Sequence, residues 1–146
     1  MSIELRILKN DLGTLKQVIH IISTHFSSNL PAWLLYIVAQ STDQKFTLGD
    51  SQLNMIELEE KVVNSHLGIK LALSEVINMV DNLTVVDDFY IVFPKEENTS
   101  ITKASDISSI KKDCLVIIDF FDSSYIDVFC QDEKIIVDIK SQITVL

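Results

Sequence analysis

The pattern of apolar and polar residues at the start of the chain predicts a strand followed by an amphipathic helix. Apolar and polar side chains alternate over residues 2–8, as in a strand with one buried face. Asp11 then offers a carboxylate suited to capping a helix. Apolar residues follow at steps of three and four: Leu12, Leu15, Ile19, Ile22 and Phe26. This spacing predicts a helix over residues 12–26 with one buried stripe.

The middle of the chain predicts a buried strand, a hairpin and two helices. The run from Trp33 to Ala39 is continuously apolar and lies between turn-forming residues, which is typical of a buried strand. Residues 45–48 are predicted to pair back on it as the second arm of a hairpin. Apolar spacing then indicates a short helix over residues 52–63 and a second, mostly buried helix over about 66–81.

The second half of the chain is rich in strand-forming residues. Three segments predict strands: 84–93, 114–121 and 125–130. Residues 134–140 alternate in polarity and predict one more strand, with a helix as the alternative. The polar segment 95–112 is predicted to be a long loop with a short helical turn near Ile107.

This segregation of helices and strands predicts an α+β fold of one domain, residues 1–146. We expect an antiparallel β-sheet, ending in a C-terminal meander, with about three helices from the N-terminal half packed on it. The predicted core residues are Leu15, Ile19, Ile22, Leu73, Val76, Ile117 and Val128.

The chain shows neither an apolar run of the ~18 residues that a membrane-spanning helix needs nor the pattern of a secretory signal at its start. We therefore expect a cytoplasmic protein without a membrane partner. In that reducing compartment the two cysteines, Cys114 and Cys130, are expected to be buried free thiols.

Negative charge is concentrated in the second half of the chain. The formal net charge is −9, of which residues 1–72 contribute −1 (7 acids, 6 bases) and residues 73–146 contribute −8 (14 acids, 6 bases). Such a surface repels a phosphate backbone, so no nucleic-acid partner is expected. It would attract a basic protein, although net negative charge also serves solubility alone.

Motifs for the common chemistries are missing. The three glycines, Gly13, Gly49 and Gly68, are too far apart for a phosphate-binding loop or a dinucleotide fingerprint. His20 and His25 lie five residues apart, on different sides of the predicted helix, so they do not form a metal-binding pair. No catalytic residue, metal or cofactor is predicted.

Asp119, Asp127 and Asp138 each interrupt an apolar strand-like run, where a carboxylate is costly unless it is solvated or paired. One interpretation places all three on one solvated face of the meander. The other brings them together on a divalent cation, since residues 138–140 match the Asp-x-Lys end of a restriction-type nuclease core. The proline-aspartate pair of that core and a basic track for its substrate are missing.

Aromatic residues accompany the acids in the same segment, and anchoring rings rimmed by charges are typical of protein-binding surfaces. The candidate partner-binding residues are Asp119, Asp122, Tyr125, Asp127, Glu96, Glu97 and Asp106. Acids of the first half, such as Glu4 and Asp43, are expected to matter less.

In its small size, acidity and lack of catalytic motifs, the whole chain resembles the immunity proteins of bacterial toxin systems. The resemblance is one of overall character, without a diagnostic motif. It implies a protein that is not an enzyme and that binds and neutralises a cognate, basic toxin domain such as a nuclease. The alternatives are a small accessory or regulatory protein-binding domain and, third, a metal-dependent nuclease-like enzyme. The sequence leaves the oligomeric state open.

Overall fold

A six-stranded antiparallel sheet forms the frame of the protein. The computed structural model describes residues 3–8, 11–41, 46–48, 51–96, 106–122 and 124–143. The strands within these ranges are β1 (Ile3–Ile7), β2 (Pro31–Ser41), β3 (Phe46–Leu48), β4 (Ser51–Leu53), β5 (Ile69–Ala72), β6 (Leu83–Pro94), β7 (Cys114–Phe121) and β8 (Tyr125–Cys130). The helices are α1 (Leu12–Ser23), α2 (Met55–Asn64), α3 (Leu73–Asp81), α4 (Ile107–Asp113) and α5 (Glu133–Gln142).

The strand order in the sheet is β1-β8-β7-β6-β2-β5, and every neighbouring pair is antiparallel. The consecutive strands β6, β7 and β8 form a meander, so the predicted α+β class is confirmed. The hairpin predicted for residues 45–48 is wrong, because β3 pairs with β4 and β2 pairs with β5 and β6.

Three helices cover one face of the sheet, which we call the helical face. α1 lies between α3 and α5 and contacts both, and the three helices contact strands of the large sheet. α2 packs along β2 and adds Met55, Leu58 and Val62 to the same core. All seven predicted core residues are buried. The expectation of about three helices from the N-terminal half holds only in part, because five helices are described and α4 and α5 belong to the C-terminal half.

α5 shows why alternation alone misled the prediction for residues 134–140. As a helix, this segment buries Ile135, Ile136 and Ile139, while Val137 remains 58% exposed. Asp132 caps it by accepting a hydrogen bond from the backbone N–H of Lys134 at 2.9 Å. The strand prediction is therefore wrong and the helix alternative is confirmed.

No described helix has the length and apolarity required to cross a membrane.

The helix predicted over residues 66–81 is split by an edge strand. Residues Ile69–Ala72 pair with β2, and α3 begins only at Leu73. Gly68 precedes the strand with φ +79°, a left-handed conformation that a helix does not contain.

Cys114 and Cys130 are buried free thiols, and burial raises the pKa of each to about 12.

Gly68→Ala should lower the free energy of unfolding by about 1–3 kcal/mol, because an added Cβ is strained at this φ and has no room. The Cβ would lie 2.6 Å from the backbone oxygen of Leu34. Gly13→Ala is the matched control, since its Cβ would meet nothing closer than Asp11 Oδ1 at 3.6 Å. Urea unfolding of both variants tests this, and equal stabilities would contradict it.

Candidate functional site: the open sheet face

The face of the sheet opposite α1, α3 and α5 is only partly covered. α4 packs there through Ile110, over a small apolar cluster that includes Val92, Ile117 and Phe129. Beside α4, no described element covers the strands. We call this region, formed by outward side chains of β1, β2, β6, β7 and β8, the open face.

The strand register aligns five polar side chains across the open face. Tyr36 pairs with Tyr90, Tyr90 with Asp119, Asp119 with Asp127, and Asp127 with Arg6. We call this line of residues the polar row. Directly paired residues of antiparallel strands have Cβ atoms about 4.5–5.5 Å apart, so each side chain of the row influences the next.

Arg6 and Asp127 form a two-pronged ion pair. Arg6 Nε donates to Asp127 Oδ1 at 2.7 Å, and Arg6 Nη2 donates to Oδ2 at 2.9 Å. The guanidinium also lies 3.8 Å from the centroid of the Tyr125 ring, which stacks with Phe121 at 5.9 Å. The charge of Asp127 is therefore balanced within the protein, and Arg6 is held in a fixed orientation.

Asp119 is in the opposite situation. Its side chain is half-buried, and within the described residues it accepts no hydrogen bond and forms no ion pair. Burial, followed by repulsion from Asp127 and Asp88, raises its pKa from 3.8 to about 6. Burial, together with the charge of Asp119, also raises the pKa of Tyr90 to about 12. The charge of Arg6 offsets part of the rise in the pKa of Asp119, but the guanidinium is bonded to Asp127. Asp119 is thus the carboxylate of the polar row to which no described donor is hydrogen-bonded.

A pocket of about 410 Å³ opens beside this carboxylate. Asp119, Asp127 and Arg6 line one part of it, and Ile117 and Phe129 line an apolar part. α4 forms the rim through Ile107 and Lys111, whose ammonium group pairs with Glu4 on β1. The combination of an apolar wall and a few polar groups is typical of small binding sites.

The structure brings together only some of the predicted site residues. Asp119, Tyr125 and Asp127 share the open face, and Asp122 lies at the β7–β8 turn, where its N–H donates to Asp88 Oδ1 at 2.7 Å. Asp106 caps α4 by accepting from the N–H of Ser109 at 2.8 Å, and this bond lowers its pKa.

The remaining predicted acids lie elsewhere or outside the described residues. Glu96 is exposed beyond the end of β6, six positions from Tyr90, and so does not join the polar row. Glu97 and Asp43 lie outside the described residues. Glu4 lines the pocket; that its charge matters less for binding than the acids of the second half stays a prediction.

Asp138 lies on α5, on the helical side of the sheet. Its carboxylate pairs with His25 at 2.9 Å and accepts from Gln142 at 2.8 Å, and the bond with His25 lowers its pKa. The prediction that Asp138 shares a face or a metal with Asp119 and Asp127 is therefore wrong. Among the residues that the structure describes, no group of three or more His, Cys, Asp or Glu side chains is placed to hold a metal ion.

Sequence reasoning missed Arg6, Tyr36 and Tyr90. The alternation over residues 2–8 already places Arg6 opposite the apolar face, and Tyr90 lies between the inward-facing Phe89 and Ile91. What the sequence lacks is the register that aligns them with Asp119. The β1–β8 and β2–β6 pairings join strands far apart in the chain, and the β6–β7 pairing spans the segment that contains α4.

Asp119→Asn should raise the free energy of unfolding by about 1 kcal/mol at pH 7, since partial exposure screens much of the pKa shift. The folded-state pKa lies above the unfolded value, so the carboxylate is neutral in both states below pH 3.8 and costs stability as pH rises through about 6. The difference between variant and parent should vanish below pH 4 in urea unfolding. Asp122→Asn, at an exposed position, is the control; an equal gain there would contradict the assignment.

No family model matches the chain, and neither a curated protein nor a solved structure matches it.

Proposed function

We propose that the protein binds a basic partner protein through the open face, and that it acts as an immunity protein against a toxin domain. The observation that supports this most directly is the charge of that face. Among the described residues around the polar row and its pocket there are five acids (Glu4, Asp88, Asp119, Asp122 and Asp127) and two bases (Arg6 and Lys111). Lys70 adds one positive charge farther away on the same side of the sheet, opposite Trp33. Arg6 and Lys111 are already paired with acids of the same face, so the region of the polar row offers unbalanced negative charge to a partner.

Exposed rings on the same face support protein binding over a purely solubilising role. Tyr36 is 45% exposed and Phe121 is 52% exposed, and Tyr125 lies between Phe121 and Arg6. Solubility alone gives no reason for aromatic rings among the acids, whereas buried aromatic anchors surrounded by steering charges are characteristic of protein interfaces.

The proposed immunity role also specifies the partner of this surface, which would be a toxin domain. Immunity genes normally lie directly downstream of their toxin genes, so the adjacent upstream gene product is the first partner to test. Neutralisation by an acidic face fits a nuclease toxin, whose own substrate-binding surface has to be basic to hold phosphates.

Co-expression with the adjacent gene product tests the proposal. We expect a stoichiometric complex, and we expect cells that express the toxin to survive only when this protein is present. Binding without protection would support the accessory or regulatory domain instead. The absence of a complex with a basic neighbour would contradict both, and the acidity would then serve solubility.

A further inference from the structure

We infer that the pocket beside α4 binds one alkylammonium or alkylguanidinium group, the side chain of a Lys or Arg residue of the partner protein, with its charge against Asp119. The inference rests on the proposed protein-binding function and specifies the chemistry of its central contact. It goes beyond a general acidic surface, because it assigns a defined pocket to a single side chain.

The charge balance of the pocket favours a cation. Asp127 is matched by Arg6, and Glu4 is matched by Lys111, so these four groups neutralise one another in pairs. Asp119 is left with a half-buried carboxylate that, among the described residues, accepts no hydrogen bond. A donor that enters the pocket gains a charge-assisted hydrogen bond and relieves the cost of this unpaired group.

The walls of the pocket suit a long side chain with a charged end. Ile117 and Phe129 offer apolar surface for the methylene groups of Lys or Arg, and the Tyr90 ring lies beside Asp119 in the polar row. A cation near an aromatic ring gains a further attraction. The volume of about 410 Å³ is large enough for one such side chain.

Other ligand classes fit these residues less well. An anion would meet Asp119 and Asp127, while the only guanidinium in the pocket is committed to Asp127 by two hydrogen bonds. A divalent cation prefers several oxygen ligands, and the described part of the chain offers no group of three candidate ligands. A single organic cation needs only one carboxylate.

The test is an NMR titration of the isotope-labelled protein at pH 7.5 with three probes: Nα-acetyl-lysine amide, Nα-acetyl-arginine amide and the uncharged Nα-acetyl-norleucine amide. We expect the charged probes to shift the amide signals of Tyr90, Asp119 and Phe129, and the norleucine probe to bind at least about tenfold more weakly. Equal binding of all three probes, or no binding of the charged ones, would overturn the inference.

Two variants separate Asp119 from general acidity. Asp119→Asn should weaken the charged probes about tenfold while the protein stays folded, and Glu133→Gln, which removes an exposed acid on α5 outside the open face, should leave them unchanged. A loss of probe affinity in both variants would show a diffuse charge effect and would overturn the inference that the pocket binds the cation. If a toxin complex forms normally with Asp119→Asn, the pocket inference fails while the proposed function stands.

Acidification should act as a third readout, because protonation of Asp119 removes the anionic partner. With a pKa of about 6, the affinity for the charged probes should fall about tenfold between pH 7.5 and pH 5. The charged and titratable groups that face Asp119 from neighbouring elements are Asp88 and Tyr90 on β6, Asp127 on β8, Arg6 and Glu4 on β1, and Lys111 on α4. A flat profile would count against Asp119 as the contact.

A fourth probe distinguishes the two possible sources of the cation, a small free amine and a side chain of a partner protein. Putrescine is an alkyl diamine without a peptide backbone, and we expect it to bind no more tightly than the lysine probe. Binding of putrescine more than about a hundredfold tighter would identify a site for a small free amine and would overturn the assignment to a partner protein.

Discussion

Asp119→Lys should weaken the complex with the basic partner by at least about tenfold, the largest functional effect we expect from a single surface substitution. The change replaces the unpaired carboxylate at the centre of the polar row by a positive charge. Close charge pairs across interfaces are worth about 1.5–7 kcal/mol, and the partner's cation would then face a like charge. Calorimetry or surface binding at pH 7.5, with circular dichroism to verify folding, measures the effect.

Two matched reversals distinguish the open face from net charge. Glu133→Lys makes the same change in net charge in the second half of the chain, but at an exposed position on α5. Glu60→Lys does so at an exposed position on α2, in the first half. We expect both controls to keep nearly full affinity. If Glu133→Lys lost as much affinity as Asp119→Lys, the effect would be due to overall charge.

Varying the salt concentration in the same experiment should separate long-range electrostatic steering of association from direct contacts within the complex. Exposed charges act mainly on the association rate and are screened within about 8 Å at physiological ionic strength. The association rate of the parent protein should therefore fall as salt rises. Asp119→Lys should in addition raise the dissociation rate, because its position is half-buried and, in the complex we propose, contacts the partner.

Much of the fold follows from patterns that are local in the chain. Asp11 accepts from the N–H of Thr14 at 2.7 Å, so the cap and the start of α1 were readable from adjacent residues. The strands of the meander could be predicted in the same way, since β7 and β8 are short, mostly apolar runs on either side of a turn and β6 is a longer run rich in β-branched and aromatic residues. Local sequence signals are sufficient to predict an element when the spacing of its own apolar residues and its capping residue determine where it forms.

The errors arise where a distant pairing overrides the local pattern. Residues 69–72 carry helix-compatible spacing, yet they form a strand because β2 offers them an unpaired edge. The segment of α5 alternates over a few residues, but Asp132 caps it and the core accepts Ile135, Ile136 and Ile139 together. Tertiary packing thus decided both segments.

The candidate site was only partly visible for the same reason. Acids and rings near residue 120 pointed to the correct strands, but Arg6 joins them from the opposite end of the chain through the β1–β8 register. That pairing decides the chemistry, because Arg6 donates both of its hydrogen bonds to Asp127 and acts on Asp119 only through its charge. A carboxylate that lowers stability without a partner of its own is typical of a site kept for binding, since function and stability are commonly in conflict there.

Leu15→Ala should lower the free energy of unfolding by about 2–5 kcal/mol, a large share of the 5–15 kcal/mol typical of a whole domain. Leu15 is 0% exposed in α1, the helix between α3 and α5, so truncation leaves a cavity where helices and sheet meet. Val137→Ala, at a 58% exposed position of α5, should change stability by less than about 0.5 kcal/mol. Urea unfolding monitored through Trp33 measures both, and a loss below about 0.5 kcal/mol for Leu15→Ala would mean that α1 does not bury this face.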